Sequence, residues 1–299
     1  MYAMLIGVAA LWGAAGGLLV PRAAYRFSVQ PGEPWRDVCP AGHPLTGPAR
    51  AWLGSTRCAG CAGAGPGASA AAVRTGTEAT EPRPVPPAAE WPEDGPRVSP
   101  PAAEWPEDGP RANPPATKPR YAPHLLAPVV SALACAALAW ATGARPELAV
   151  WLVLAPVAVL LASIDHRVHR LPDALTLPAA GAATVLLGIA ALLPEHAGSW
   201  LSALLGGLVL GAFYFLLFLV NPSGMGLGDV KLALSLGVAL GWYGWAVVFA
   251  GGFAGFLFGA VYGVVLVALR RAGRKTGIPF GPFMIAGALL GLLFGGLAA

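Results

Sequence analysis

The apolar residues of this chain fall into long runs separated by short polar gaps, and the runs set its architecture. A first run spans Met4 to Val20, and a polar region of about a hundred residues, Pro21 to Pro123, follows it. Further runs cover Leu125 to Thr142, Leu148 to Ile164, Ala174 to Leu193, Trp200 to Val220 and Phe280 to Leu297. Each approaches the roughly 20 helical residues that the hydrocarbon core of a bilayer requires. The stretch Leu232 to Leu269 is flanked by Lys231 on one side and by Arg270 and Arg271 on the other. Basic flanks lie on one side of a membrane, so this stretch crosses an even number of times, as two short helices broken near Gly241 to Gly244. The pattern predicts an all-α polytopic membrane protein with about eight transmembrane helices. The first run has no basic residue before it and no small-residue cleavage site after it, and is expected to be a retained span.

Composition agrees with the bilayer as solvent: hydrophobic residues make up 56% of the chain and charged residues 11%, against about a quarter charged in a soluble domain. Of the 19 Lys and Arg, 11 lie between Arg22 and Arg120. Of the other eight, all but Arg145 cluster in gaps at Arg167 and Arg170, at Lys231 and from Arg270 to Lys275. Applied to these gaps, the positive-inside rule puts the N terminus outside a plasma (inner) membrane and the Pro21 to Pro123 region in the cytoplasm. The gaps that hold Arg145, Glu147 and Glu195 then face outward. A net charge of +4 spread in this way gives no reason to expect nucleic acid as a partner.

The polar region has two parts. Residues 21–63 carry Cys39, His43, Cys58 and Cys61, a set of four ligands suited to a tetrahedral zinc site on the reducing side of the membrane. Unligated thiols are the plainer alternative. Residues 64–123 are rich in Pro, Ala and Gly and contain a near-duplicate, Pro86 to Arg97 and Pro100 to Arg111. Proline at that density blocks helix and sheet, so this part is expected to be a disordered linker. Its repeated Trp91 and Trp105 read either as a docking motif or as the residue of a duplication. Residues 1–20 form the first span, and residues 124–299 form a seven-span domain.

Beyond Tyr121 the chain holds five acidic residues, Glu147, Asp165, Asp173, Glu195 and Asp229. Acids at membrane depth are costly and need a reason. Asp165 ends an apolar run in Ser163-Ile-Asp-His-Arg-Val-His-Arg-Leu-Pro-Asp173, with Arg167 and Arg170 as possible partners. Asp229 ends Gly224-Met-Gly-Leu-Gly-Asp just before another apolar helix, where it also fits an N-cap. Asp173, after Leu171 and Pro172, is expected to cap the following span. The two motifs bring a carboxylate from each of two helix ends to the same cytoplasmic edge.

Asp165 followed by Leu171-Pro172-Asp173, the run Gly224-x-Gly226-x-Gly228-Asp229-x-Lys231, and Ile278-Pro-Phe-Gly-Pro282 together resemble the bacterial type IV prepilin peptidases, membrane aspartic peptidases of the Gly-x-Gly-Asp kind. The resemblance covers Tyr121 to Ala299. It implies that Asp165 and Asp229 are a catalytic pair that cuts the short basic leader from prepilin-like membrane proteins just before their hydrophobic helix. It also implies a second activity, methylation of the new N terminus from S-adenosylmethionine. The family's first cysteine half-motif usually carries a second Cys where this chain has Ala41-Gly42, and His43 is the candidate replacement.

The residues themselves allow this chemistry. Two carboxyl groups hydrolyse a peptide when one is ionised and activates water while the other is protonated and donates to the carbonyl. The helix dipoles as drawn favour ionised Asp229 and protonated Asp165. Gly226 and Gly228, with Gly224, are suited to close substrate approach or positive φ, or form an ordinary flexible loop. Lys231 balances charge or snorkels to the interface. Pro279 and Gly281 either begin a helix or form substrate-positioning backbone at membrane depth. The rival classes are a transporter or channel component, which would hold its acids near the midplane of broken helices, and a scaffold that recruits partners through the proline-rich segment.

Overall fold

The computed structural model describes residues 2–30, 32–52, 58, 61, 125–222, 224–269 and 279–299. The proline-rich segment with its duplication, the loop of residues 270–278 and Ile278 of the third motif lie outside them. A compact helical unit takes in Met1–Cys58 and Arg120–Ala299, and within Ala59–Pro119 only Cys61 is described. Among the described residues are eight long helices and no strand. They are α1 (Tyr2–Phe27), α2 (Leu126–Thr142), α3 (Glu147–Val168), α4 (Asp173–Ala190), α5 (Trp200–Val220), α6 (Leu227–Gly241), α7 (Trp245–Ala268) and α8 (Gly281–Ala298). A single helical turn, Pro48–Ala51, lies in the cysteine-bearing segment.

Six of these helices are long and apolar enough to cross a bilayer, and α2, at 17 residues, is a shorter apolar one. At 15 residues, α6 rises about 22 Å, less than the roughly 30 Å of a hydrocarbon core. It begins at Leu227, five residues before the expected start at Leu232, so Asp229 and Lys231 lie inside the helix. The expected break falls at Trp242 to Gly244, where Gly244 takes φ 103° to open α7. The first helix runs to Phe27, seven residues past the expected end at Val20. Its Arg22 donates to the Thr46 carbonyl at 2.6 Å, and Arg26 lies over the Trp52 ring at 4.0 Å. The cysteine-bearing segment thus covers the basic residues that were expected to end the helix. Glu147, expected in an outer loop, is the first residue of α3 and is fully buried, with its Oε1 accepting the Ala197 N–H at 3.3 Å.

Helices in lipid gain little from burying apolar surface against one another, so close packing must hold them together. The chain achieves this with glycine. On α8, a Cβ at Gly287 would stand 2.3 Å from the Gly255 nitrogen of α7, and on α6 one at Gly237 would stand 2.5 Å from the Gly206 carbonyl oxygen of α5. These backbones touch, whereas side chains such as Phe249 and Phe253 on α7 point outward, about two-thirds exposed. The core holds Trp151, Trp242, Tyr214, Leu161 and Ile164. Both α3 and α6 pack against α8, which brings the three sequence motifs to one end of the bundle.

Gly287→Val should therefore lower the thermal midpoint of the purified protein, although the substitution removes a glycine from a helix interior, a change that by propensity alone gains about a few tenths of a kcal/mol. An unchanged or raised midpoint in detergent would contradict the backbone contact between α7 and α8.

Candidate active site

Asp165 lies in the last turn of α3 and is 4% exposed. The helix ends just beyond it because His169 turns left-handed, at φ 51°, and returns its N–H to the Asp165 carbonyl at 2.8 Å. The carboxylate itself does not hang in solvent. Its Oδ2 accepts the N–H of Gly281 at 2.9 Å, across 116 residues of chain. Gly281 is the first residue of α8, where backbone N–H groups have no partner within their own helix, so Asp165 caps α8. A side chain at 281 would crowd this contact, since a Cβ there would stand 2.8 Å from Oδ2.

Asp229 is the third residue of α6. Its backbone N–H donates to the Gly226 carbonyl at 3.1 Å, and its Oδ2 accepts the Gly226 N–H at 3.1 Å. It therefore closes the helix start from within, while Gly226 holds the N-cap position that the sequence suggested for Asp229. Each carboxylate accepts an N–H from the start of a helix, one its own and one a neighbour's. The dipole argument that gave the proton to Asp165 thus loses its asymmetry, because the N terminus of α8 offsets the C terminus of α3.

The two acids are near enough to act on each other electrostatically. Their surroundings join all three motifs. Gly228, beside Asp229, fits tightly against Leu171: a Cβ on it would lie 3.0 Å from the Leu171 Cβ. Lys231, two residues after Asp229, meets Asp173 with its Nζ 2.7 Å from Oδ1. Asp173 is consequently not a cap. It is the first residue of α4, the preceding Pro172 holds the N-cap position, and the Pro172 carbonyl accepts the Thr176 N–H at 3.1 Å. The glycines of the second motif do not supply positive φ; among the described glycines that conformation belongs to Gly32, Gly42, Gly47, Gly143 and Gly244. Gly228 is needed for close approach instead. Pro279 is half-buried just before the start of α8.

Tyr214 of α5, Phe256 of α7 and Phe280 escaped the sequence reading. Tyr214 is 1% exposed and within electrostatic reach of Asp229, with its ring 5.4 Å from Phe256 and 6.2 Å from Phe280. Phe280 immediately precedes Gly281, so this aromatic wall runs from one acid to the other. The signal was present in the sequence, since Tyr214 carries a hydroxyl in the middle of a long apolar run.

In the cysteine-bearing segment, one ligand atom from each of Cys39, His43, Cys58 and Cys61 lies within 4.8 Å of the others. A tight loop shapes the first half. Cys39 N–H donates to the His43 carbonyl at 2.8 Å, Gly42 turns at φ 81°, and the Ala41 N–H points at Cys39 Sγ from 3.3 Å. The Nδ1 of His43 is 3.6 Å from Cys39 Sγ. Ligands about 2.1 to 2.3 Å from a tetrahedral ion lie about 3.5 to 3.8 Å apart. The four side chains fit a metal ion of the zinc type.

Residues 152–269 match the model of the type IV leader peptidase family. A prepilin leader peptidase/N-methyltransferase of Pseudomonas putida is 34% identical over 178 residues, 57% of this chain and 58% of the relative. One from Pseudomonas aeruginosa is 33% identical over the same shares. One from Bacillus subtilis is 34% identical over 97 residues, 32% of this chain and 38% of the relative. The chain thus matches 58% of the length of the two Pseudomonas relatives and 38% of the Bacillus one. No solved structure matches it.

The bridge between Lys231 and Asp173 is solvent-accessible, 27% and 63% exposed on its two sides. Pairs of this kind contribute under about 1 kcal/mol and are screened by salt. Asp173→Asn should cost no more than that in stability, and the difference from the parent should shrink as salt is raised. A large, salt-independent loss in a thermal unfolding series would show that Asp173 has a further role.

Proposed function

We propose, from the membership of residues 152–269 in the type IV leader peptidase family, that this chain is a membrane aspartic endopeptidase whose catalytic pair is Asp165 and Asp229. The observation that carries the reading is that two carboxylates on separate helices lie within electrostatic reach of each other, with Asp165 on the N terminus of α8. A pair held in this way shares one proton: the ionised member takes a proton from the attacking water while the protonated member gives its own to the scissile carbonyl oxygen, and the first then passes the water's proton to the leaving amine as the second takes one back from the tetrahedral diol. The backbone of the Gly226 to Asp229 turn and of Pro279 to Gly281 borders the acids, a disposition suited to positioning an extended substrate strand. Lys231 and Asp173 hold α6 against the start of α4 and act as positioning residues.

The substrates we propose are prepilin-like membrane proteins, cut at the cytoplasmic face of the inner membrane to release a basic leader. The relatives' printed name supports this, as does the distribution of Lys and Arg, which favours an outside N terminus and a cytoplasmic cysteine-bearing segment. Methylation of the new N terminus from S-adenosylmethionine rests on that name alone. The cysteine set is read as a structural zinc site in which His43 takes the place of a fourth cysteine. Bound there, zinc would supply a closed tetrahedral centre that orders the segment covering the end of α1. The acids sit at helix ends, which speaks against the transporter reading, since that reading expects them at the midplane.

Co-expression with a prepilin-like substrate tests the pair. Asp165→Asn and Asp229→Asn should each cut cleavage by at least about a hundredfold while leaving membrane insertion intact; near-parental cleavage in either variant rules out the dyad. Gly281→Ala should lower the turnover number by about a hundredfold through displacement of the Asp165 carboxylate, and unchanged turnover would show that this contact does not set the geometry. Metal analysis of the purified full chain should find one zinc per molecule, lost in Cys58→Ser; parent protein without metal would end the zinc reading.

A further inference from the structure

We infer that the bundle holds a site for an anionic phospholipid, separate from the carboxylate pair. A cavity of about 720 Å³ lies among α1, α2, α3, α4, α6 and α8 and is partly open to the outside of the bundle. Its wall is almost wholly apolar, with Leu138, Trp151, Leu161 and Leu292 among its residues. Along α3 it reaches from Trp151 to Arg167, a rise of about 24 Å, most of the thickness of a hydrocarbon core. Folded interiors do not leave apolar volumes of this size empty, and water gains no partners from such walls. The occupant is therefore a long apolar chain drawn from the bilayer.

Charge decides which chain. The titratable lining residues, His166 and Arg167, stand at one end of the cavity, the end where α1 finishes and α2 and α8 begin. Arg36 of the cysteine-bearing segment is close enough to Arg167 for their like charges to interact. Its guanidinium lies over the Tyr25 ring at 5.0 Å. Arginines gathered at the polar end of an apolar slot between helices are suited to a phosphate headgroup with its acyl chain below. A zwitterionic headgroup would bring a second cation to this end and be disfavoured.

The test uses the full chain purified in detergent, exchanged against equimolar phosphatidylglycerol and phosphatidylethanolamine with identical acyl chains, and read by native mass spectrometry. Bound phosphatidylglycerol should exceed phosphatidylethanolamine by at least about fivefold, the worth of one arginine near a charged lipid surface. Arg36→Gln, on the exposed segment, and Arg167→Gln should each reduce that ratio about fivefold. Ala158→Phe, which fills the wall of the slot, should reduce occupancy by both lipids, and free inorganic phosphate should displace neither. Equal binding of the two lipids, absence of retained lipid, or a preference that survives both arginine substitutions would overturn the inference. The readout is lipid occupancy, so it stands or falls independently of peptidase activity.

Discussion

A carboxylate buried in a protein that uses lipid as its solvent has to find a donor inside the protein, and for Asp165 that donor is the amide of Gly281. Much else follows from this contact. It brings the N terminus of α8 against the C terminus of α3, and residue 281 has to be a glycine because a Cβ would intrude on the oxygen. It places Phe280, the preceding residue, against Tyr214 and Phe256. Through Tyr214 the contact reaches the neighbourhood of Asp229 on a different helix. Two acids more than sixty residues apart in sequence thus come within electrostatic reach of each other, with a third segment that carries no titratable group beside Asp165.

The surrounding bundle makes the arrangement stiff. Backbones on α5 and α6, and on α7 and α8, touch at glycines, so small rotations of a helix meet main chain and not a yielding side chain. Close to the acids, Leu171 packs on Gly228 and Asp173 pairs with Lys231, which ties the segment after Asp165 to the helix that carries Asp229. Side chains held on helices with this backing keep their separation better than side chains on loops. At the opposite end, Glu147 is buried and holds the segment that leads into α5.

Much of this could be read from the chain. Apolar run lengths located the helices to within a few residues, because lipid leaves the backbone little choice but helix. The three motifs that meet at the acids were also visible, since charge and glycine stand out sharply in apolar surroundings. Contacts between distant segments could not be read in the same way. Nothing in the spelling of Asp165 or Gly281 says that one caps the other, and without that contact the dipole of α3 alone suggested an asymmetry between the acids that the N terminus of α8 offsets. Asp173 looked like a cap because residues after Leu-Pro often are, but the helix starts one residue earlier and its carboxylate turns to Lys231. The extent of α1 was masked by Arg22 and Arg26, whose charges suggested water where the cysteine-bearing segment lies.

The most direct measurement is an experimental structure of the full chain in a lipid nanodisc, at a resolution that shows carboxyl groups. The account predicts that the Asp165 and Asp229 carboxyl groups face each other closely enough for one water molecule to bridge them, with the Gly281 amide on Asp165. Carboxyl groups turned to different faces of the bundle or into lipid, or an α8 start that does not touch Asp165, would contradict it.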